Sequence, residues 1–423
     1  MLKLPRLERM TDESSKAPSH PGRKDKGAAR VGLPLVLAGE RAFLLAFCAA
    51  SLLLSGCRPH DFPQYPANYR EFAYVTNGAS GTVTVLDVVN VRVDREIQVG
   101  QNPVAVAANS SRNEVYVVNS GPMSGQGSVS VIDTQKNSVA ATIPVHKQPL
   151  SIHLDASGSH AYVANSGSNT VSVIDLDTRR EIAVIGAGEE PVMAVLSPDG
   201  ASLVVANRGG NSVSVFDPVT RHVRSVFEGC PGAADTVILP DSSKAFVACS
   251  GGHQVMAIAL AHAGQPDRLE TLMDVGRAPA QLALKPDGGE VFVCNSGSNS
   301  ISEVSTPTND VGGATLMGDD PMHGLVSRDN TLLYVANFHS QEVVIYAIDD
   351  GRRLPDLPGS PGSIRVGDGP SAMAFSAAGH LLFVVDAHSG DVAVVRTSSH
   401  VLFTLLPAGR GPNAITVKAF LAN

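Results

Sequence analysis

The chain has 423 residues, 43% hydrophobic and 17% charged, enough to bury a sizeable core in one large repeat array or two to three average domains. Its 40 glycines and 27 prolines, few aromatic residues and complete lack of tryptophan favour short strands joined by tight turns and remove every motif that needs an indole. The formal net charge of −8 argues against a general phosphate-binding surface.

Residues 1–40 are polar, basic in their middle (Arg23, Lys24, Lys26, Arg30) and without apolar periodicity. They read as a disordered or mis-started N-terminal extension. Arg41 is then followed by a continuous apolar run, Ala42 to Leu54, closed by Leu54-Ser55-Gly56-Cys57. A cation, a run too short to span a bilayer and a small-residue site are the parts of a secretory signal. The segment 41–57 resembles a bacterial lipoprotein signal peptide with its processing box, which implies that Cys57 becomes the first mature residue and carries a lipid. The alternative is an ordinary export signal in which Cys57 is incidental. Residues 1–56 hold nine Lys and Arg against five Asp and Glu, so the remainder carries −12, which makes nucleic acid a poor partner. Residues 58–71, with Pro59, Pro63 and Pro66, read as an extended tether.

One sentence then recurs eight times, ending at Asn77, Asn119, Asn165, Asn207, Cys249, Asn295, Asn337 and Asp386, with spacings of 42, 46, 42, 42, 46, 42 and 49. Such a period marks one repeated supersecondary unit. In the third unit, Tyr162-Val-Ala-Asn165, Thr170-Val-Ser-Val-Ile174, Glu181-Ile-Ala-Val-Ile185 and Val192-Met-Ala-Val-Leu196 are four short strands bounded by turn residues. That is the anatomy of a propeller blade. Strands sandwiched between neighbouring blades have no solvent side, so they lose clean alternation. The repeated Asn suits a hairpin turn, where it can take left-handed backbone angles.

Tyr162-Val-Ala-Asn165, Val171-Ser-Val-Ile-Asp175 and the Ser197-Pro-Asp-Gly200 turn resemble the YVTN-family β-propeller repeat of exported proteins, within the YncE-like and lactonase-like superfamily. The resemblance covers about residues 72–420 and implies an all-β fold. Eight periods predict eight four-stranded antiparallel blades, with Ala414-Ile-Thr-Val-Lys418 completing the first blade and closing the ring. Seven blades, the commoner form in that family, is the alternative.

On the face carrying the Gly-x-x-Pro lead-ins to the innermost strands, the aligned channel-mouth positions are Ala105, Ser151, Met193, Asp235, Gln281, His323, Ala372 and Ala414. Three consecutive blades thus offer Asp235, Gln281 and His323, a convergent polar cluster that can bind a ligand or simply water. The lead-in Cys230-Pro-Gly-Ala-Ala234 reads as two residues longer than its counterparts, which loosens the placement of Asp235. Hairpin loops on the same face carry Arg208, His253, Phe338, His339 and His388, and the loop 120–127 is four residues longer than its counterparts. Longer loops near 260–268 and 349–362 fall on the opposite face and read as neutral insertions. No spaced metal-ligand pair and no Gly-x-Ser-x-Gly is present, so no metal site, cofactor or catalytic residue is assigned. Cys230 and Cys249 lie at the same end of one sheet and can form a disulfide in an oxidising compartment; the alternative is three buried free thiols with Cys294.

These features suggest a monomeric, lipid-anchored envelope protein that acts as a binding or interaction scaffold for an envelope protein or a small molecule. The resemblance also implies a second reading, a lactonase-like hydrolase, with His323 or Asp235 and Arg208 as the only base and electrophile candidates. A third is a redox propeller of the haem d1 type, which needs axial His placement.

Overall fold

The computed structural model describes residues 65–262, 264–355 and 362–422. The expected extension, signal and Cys57, and the tether up to residue 64, lie outside the described residues. The first strand, Tyr69–Asn77, begins inside the segment read as tether, because Tyr69, Arg70 and Glu71 pair with Leu421, Phe420 and Ala419.

Eight antiparallel sheets follow one another around a ring, a β-propeller of eight blades rather than seven. Blade 1 joins Tyr69–Asn77, Thr82–Asp87 and Arg92–Gln98 to the last strand, Pro412–Leu421, which is its innermost. Blades 2 to 8 begin on innermost strands Pro103–Ala108, Pro149–Leu154, Pro191–Leu196, Ala233–Ile238, Pro279–Leu284, Pro321–Val326 and Pro370–Phe375. Each innermost strand touches the next, and Pro412–Leu421 touches those of blades 2 and 8, so the circle is complete.

The core is divided into eight apolar clusters, each built from two adjacent blades. That division explains the sequence pattern. Leu203–Asn207 and Ser212–Phe216, the middle strands of blade 4, are buried at every position because both faces meet a neighbouring blade. The outermost strand Arg180–Gly186 has a wet side and alternates, leaving Ile182 and Val184 exposed. Burying one Val or Leu side chain contributes about 1.5–3 kcal/mol, so these two-sided strands carry most of the cohesion between blades.

The repeated Asn is not the left-handed turn residue expected of it. Asn165 has φ −101°, and the left-handed position falls later in the loop, at Asn169, Asn211 and Asn299. The repeated Asn is instead fully buried and bonds across its blade. Asn207 donates from Nδ2 to Ser214 Oγ (2.9 Å) while its Oδ1 accepts from Gly188 N (3.0 Å). Asn77, Asn119 and Asn165 donate to hydroxyls in the same way. The glycine opening the Gly-x-x-Pro lead-in is needed here for room, since a Cβ on Gly188 would stand 2.6 Å from Asn207 Cγ.

Every innermost strand bulges just after its first residue. A bulge re-aims the side chains beside it, here toward the mouth of the channel. The insertion around 260–268 is not neutral. Its buried Asp267 accepts from Arg224 (Nε 3.0 Å, Nη2 2.8 Å) and from Ala261 N (2.7 Å), pinning the loop to blade 4. Of the other insertion, residues 356–361 lie outside the described residues; its flanks, Arg352–Arg353 and Ser363–Arg365, share the outer edge of blade 7.

Candidate functional site

The bulges bring Asp235, Gln281 and His323 to one end of the channel, on consecutive blades. With Arg208, Val192, Met193, Ala234, Ala280 and Met322 they line a single cavity of about 470 Å³. Asp235 is placed as the repeat predicts: Ala233 pairs with Cys249 just as Pro191 pairs with Asn207, so the lead-in has no extra residues. The bulge has the same one-residue offset, with Thr236 opposite Val247 as Ala194 is opposite Val205; what differs is that Asp235 and Ala248 do not pair where Met193 and Ala206 do.

Two of the polar side chains are already engaged by protein. Asp235 Oδ1 accepts from Thr236 N and Oδ2 from Leu282 N of the next blade, both at 2.9 Å. Gln281 repeats the gesture one blade further, its Oε1 accepting from Gly324 N (2.8 Å) while its Nε2 donates to Leu282 O (2.8 Å). The reason is topological. An innermost strand is a sheet edge facing the channel, so its outward amides need acceptors from outside the ladder. Burial pushes the Asp235 carboxyl up to about 6, against the pull of its two amide donors.

His323 is the opposite case. Its Nδ1 is buried without a hydrogen-bond partner, and burial alone pushes the imidazolium down to about 4, so the ring is neutral at physiological pH. Arg208 meets Glu190 Oε2 at 3.4 Å, a half-exposed pair on the rim. No hydrogen bond joins Asp235, Gln281, His323 and Arg208 to one another. Behind the wall, the free thiol of Cys294 is pushed up to about 12, first by burial and then by the charge of Asp235.

The other loop candidates lie apart from this cavity. Phe338 packs edge-on against His339 (5.1 Å between ring centres) and His388 (4.8 Å), and His339 Nδ1 stands 3.2 Å from Asp320 Oδ2. His253 Nδ1 accepts from Ala278 N (3.2 Å), holding a turn. Among the described residues no three His, Cys, Asp or Glu side chains are grouped to hold a metal ion. Cys230 and Cys249 are joined as a disulfide with Cα atoms 4.7 Å apart. Sequence reasoning missed Met322 and Val192, since nothing before the fold marked bulge residues as cavity walls, and Glu190, whose pairing with Arg208 needs the loop geometry.

No curated protein sequence matches this chain. Among solved structures, it resembles the dihydro-heme d1 dehydrogenase NirN in complex with DHE (TM-score 0.64, 16% identity, 85% of this chain and 76% of that one). It also resembles apo AztD from Citrobacter koseri (TM-score 0.63, 13% identity, 83% and 98%). A protein from Bacteroides uniformis provisionally described as a 6-phosphogluconolactonase gives a TM-score of 0.55 at 15% identity, over 83% of this chain and 100% of that one. At these identities the likeness is one of fold. The sequence itself matches the YNCE-like beta-propeller family over residues 129–419, and with eight blades closed by their terminal strands the chain belongs to that family.

Proposed function

We propose that this protein is a binding propeller of the cell envelope, anchored by a lipid on Cys57, that receives a small ligand or a partner's side chain at the channel mouth of blades 4 to 7. The observation that carries this reading is the cavity itself. Thioethers of Met193 and Met322 and the neutral ring of His323 form its adaptable wall, while Asp235 and Gln281 are held still by backbone amides. A lactonase-like hydrolase has less support, because Asp235 spends both oxygens on amides and touches neither Arg208 nor His323, so no base stands beside an electrophile. Axial ligation of a haem d1 type rests on His323 alone.

The test is retention from envelope extract, comparing wild type with the Arg208→Ala, Asp235→Asn, His323→Ala variant. A protein or extractable small molecule held by wild type and lost by the variant is expected; equal retention overturns the channel-mouth reading. The anchor is tested separately by Cys57→Ser, which should move the protein from the membrane to the soluble fraction and abolish labelling by a fatty-acid analogue. Unchanged fractionation overturns the anchor.

A further inference from the structure

At six blades the lead-in opens with glycine packed against the repeated Asn or its equivalent: Gly100, Gly188, Gly276, Gly318, Gly367 and Gly409. In four of them the glycine N–H donates to that side chain at 3.0–3.2 Å: Gly100 to Asn119, Gly188 to Asn207, Gly318 to Asn337 and Gly367 to Asp386. Blade 5 alone has cysteines at both positions, and they are bonded to each other. The slot is tight where glycine faces Asn, since a Cβ on Gly188 would stand 2.6 Å from Asn207 Cγ. Blade 3, with His146 before Pro149, is the one other blade without that glycine, and in blade 5 a disulfide takes less space than two unbonded sulfurs.

Blade 5 is also where the lead-in has lost its other restraint. Seven innermost strands start on proline, whose fixed φ stiffens the turn into the bulge; blade 5 starts on Ala233. Its bulge keeps the one-residue offset of the others, since Thr236 pairs with Val247 as Ala194 pairs with Val205, but the pair next to it, Asp235 with Ala248, drops out of the ladder. Cys249 is the ladder partner of Ala233, so the covalent link closes at the foot of this bulge.

We infer that the Cys230–Cys249 bond is a positioning staple for Asp235: it fixes the stretch Cys230–Ala233 so that the bulge holds the carboxylate on the amide of Leu282 at the channel mouth. Its bearing on ligand capture rests on the binding reading above; the positioning itself does not. Asp235 and Cys249 are thus coupled although neither touches the other's partner.

The experiment compares wild type with Cys230→Gly/Cys249→Asn, which installs the pair used by five of the other blades. Two readings are taken without ligand: the titration of Asp235 by carboxyl NMR, and hydrogen exchange at the Leu282 amide. A staple predicts that the folded double variant shifts the titration of Asp235, which loses both its burial and the Leu282 donor, and exchanges Leu282 at least about tenfold faster, while the core amide of Val247 keeps its protection. A folded variant with both readings unchanged overturns the inference. Should the variant not fold, native wild type is reduced in place with a phosphine while exchange is followed. Leu282 must then accelerate ahead of Val247; equal acceleration marks a bond that only stabilises, and overturns the inference. Because no ligand enters either measurement, an unchanged Asp235 leaves the binding reading standing, and a failed retention assay leaves the staple standing.

Discussion

Blades 5 and 8 each break the repeat at the same buried position, and they do so in opposite ways. In blade 5 the Asn becomes Cys249 and its glycine becomes Cys230, so a polar contact is replaced by a covalent one that carries no charge. In blade 8 the Asn becomes Asp386, with a second acid, Asp391, as its ladder partner. Asp386 Oδ2 keeps the bond from Gly367 N (3.0 Å), but Oδ1 has no donor. Where blades 1 to 4 and 6 place an amide that donates to a hydroxyl, blade 8 faces one carboxyl toward another. Burial first, and the neighbouring Asp391 second, push Asp386 up to about 8, so it holds a proton at neutral pH. A fold that tolerates both solutions needs the slot filled and its amide satisfied; the chemistry that does so is open.

The comparison breaks most sharply at blade 5. Cys249→Ala should cost about 2–5 kcal/mol, measured as a fall in the midpoint of thermal or denaturant unfolding, because it removes the cross-link and leaves Cys230 in a slot shaped for two bonded sulfurs. A loss below about 0.5 kcal/mol would show the bond to be idle. Asp386→Ala should cost less, about 1–3 kcal/mol, since it strands the Gly367 amide in a buried site.

Asp386→Asn should move the other way, stabilising by about 1 kcal/mol at neutral pH, because it supplies a permanent donor where the acid must borrow a proton. The sign of the pH dependence follows from a folded pKa raised above its unfolded value. The contribution is whole below the ordinary carboxylate range and is lost as pH rises toward and through about 8. Wild type should therefore weaken over that window relative to the Asn variant; parallel pH–stability curves would overturn the shared proton. Last and smallest, Arg208→Ala should change stability by less than about 0.5 kcal/mol, since its pair with Glu190 is half exposed and 3.4 Å long. A larger change by unfolding titration would place Arg208 in the structure of the ring.

The blade count was legible because a period of 42 to 49 residues runs through every local change, and strands buried on two faces leave an unmistakable run of small and branched residues such as Leu203-Val-Val-Ala-Asn207. The channel-mouth positions were legible for the same reason: Asp235, Gln281 and His323 occupy equal phase in three repeats. Their chemistry was not. That Asp235 and Gln281 spend their oxygens on the amides of Leu282 and Gly324 depends on which neighbour's strand edge lies alongside, a relation between blades that no single repeat encodes. The role of the repeated Asn was misread likewise, because its partners Ser214 and Gly188 come from opposite directions in the chain. Asp267 shows the limit of treating insertions as inert, since its worth lies wholly in meeting Arg224 across a blade boundary.

The pairing of Tyr69–Asn77 with Pro412–Leu421 sets the order of events at birth. Blade 1 lacks its inner strand until Pro412–Leu421 has been made, so the nascent chain carries an incomplete sheet while the seven other blades are synthesised. Contacts this distant in sequence are slow to form. The ring therefore locks late, once that strand has found Tyr69–Asn77.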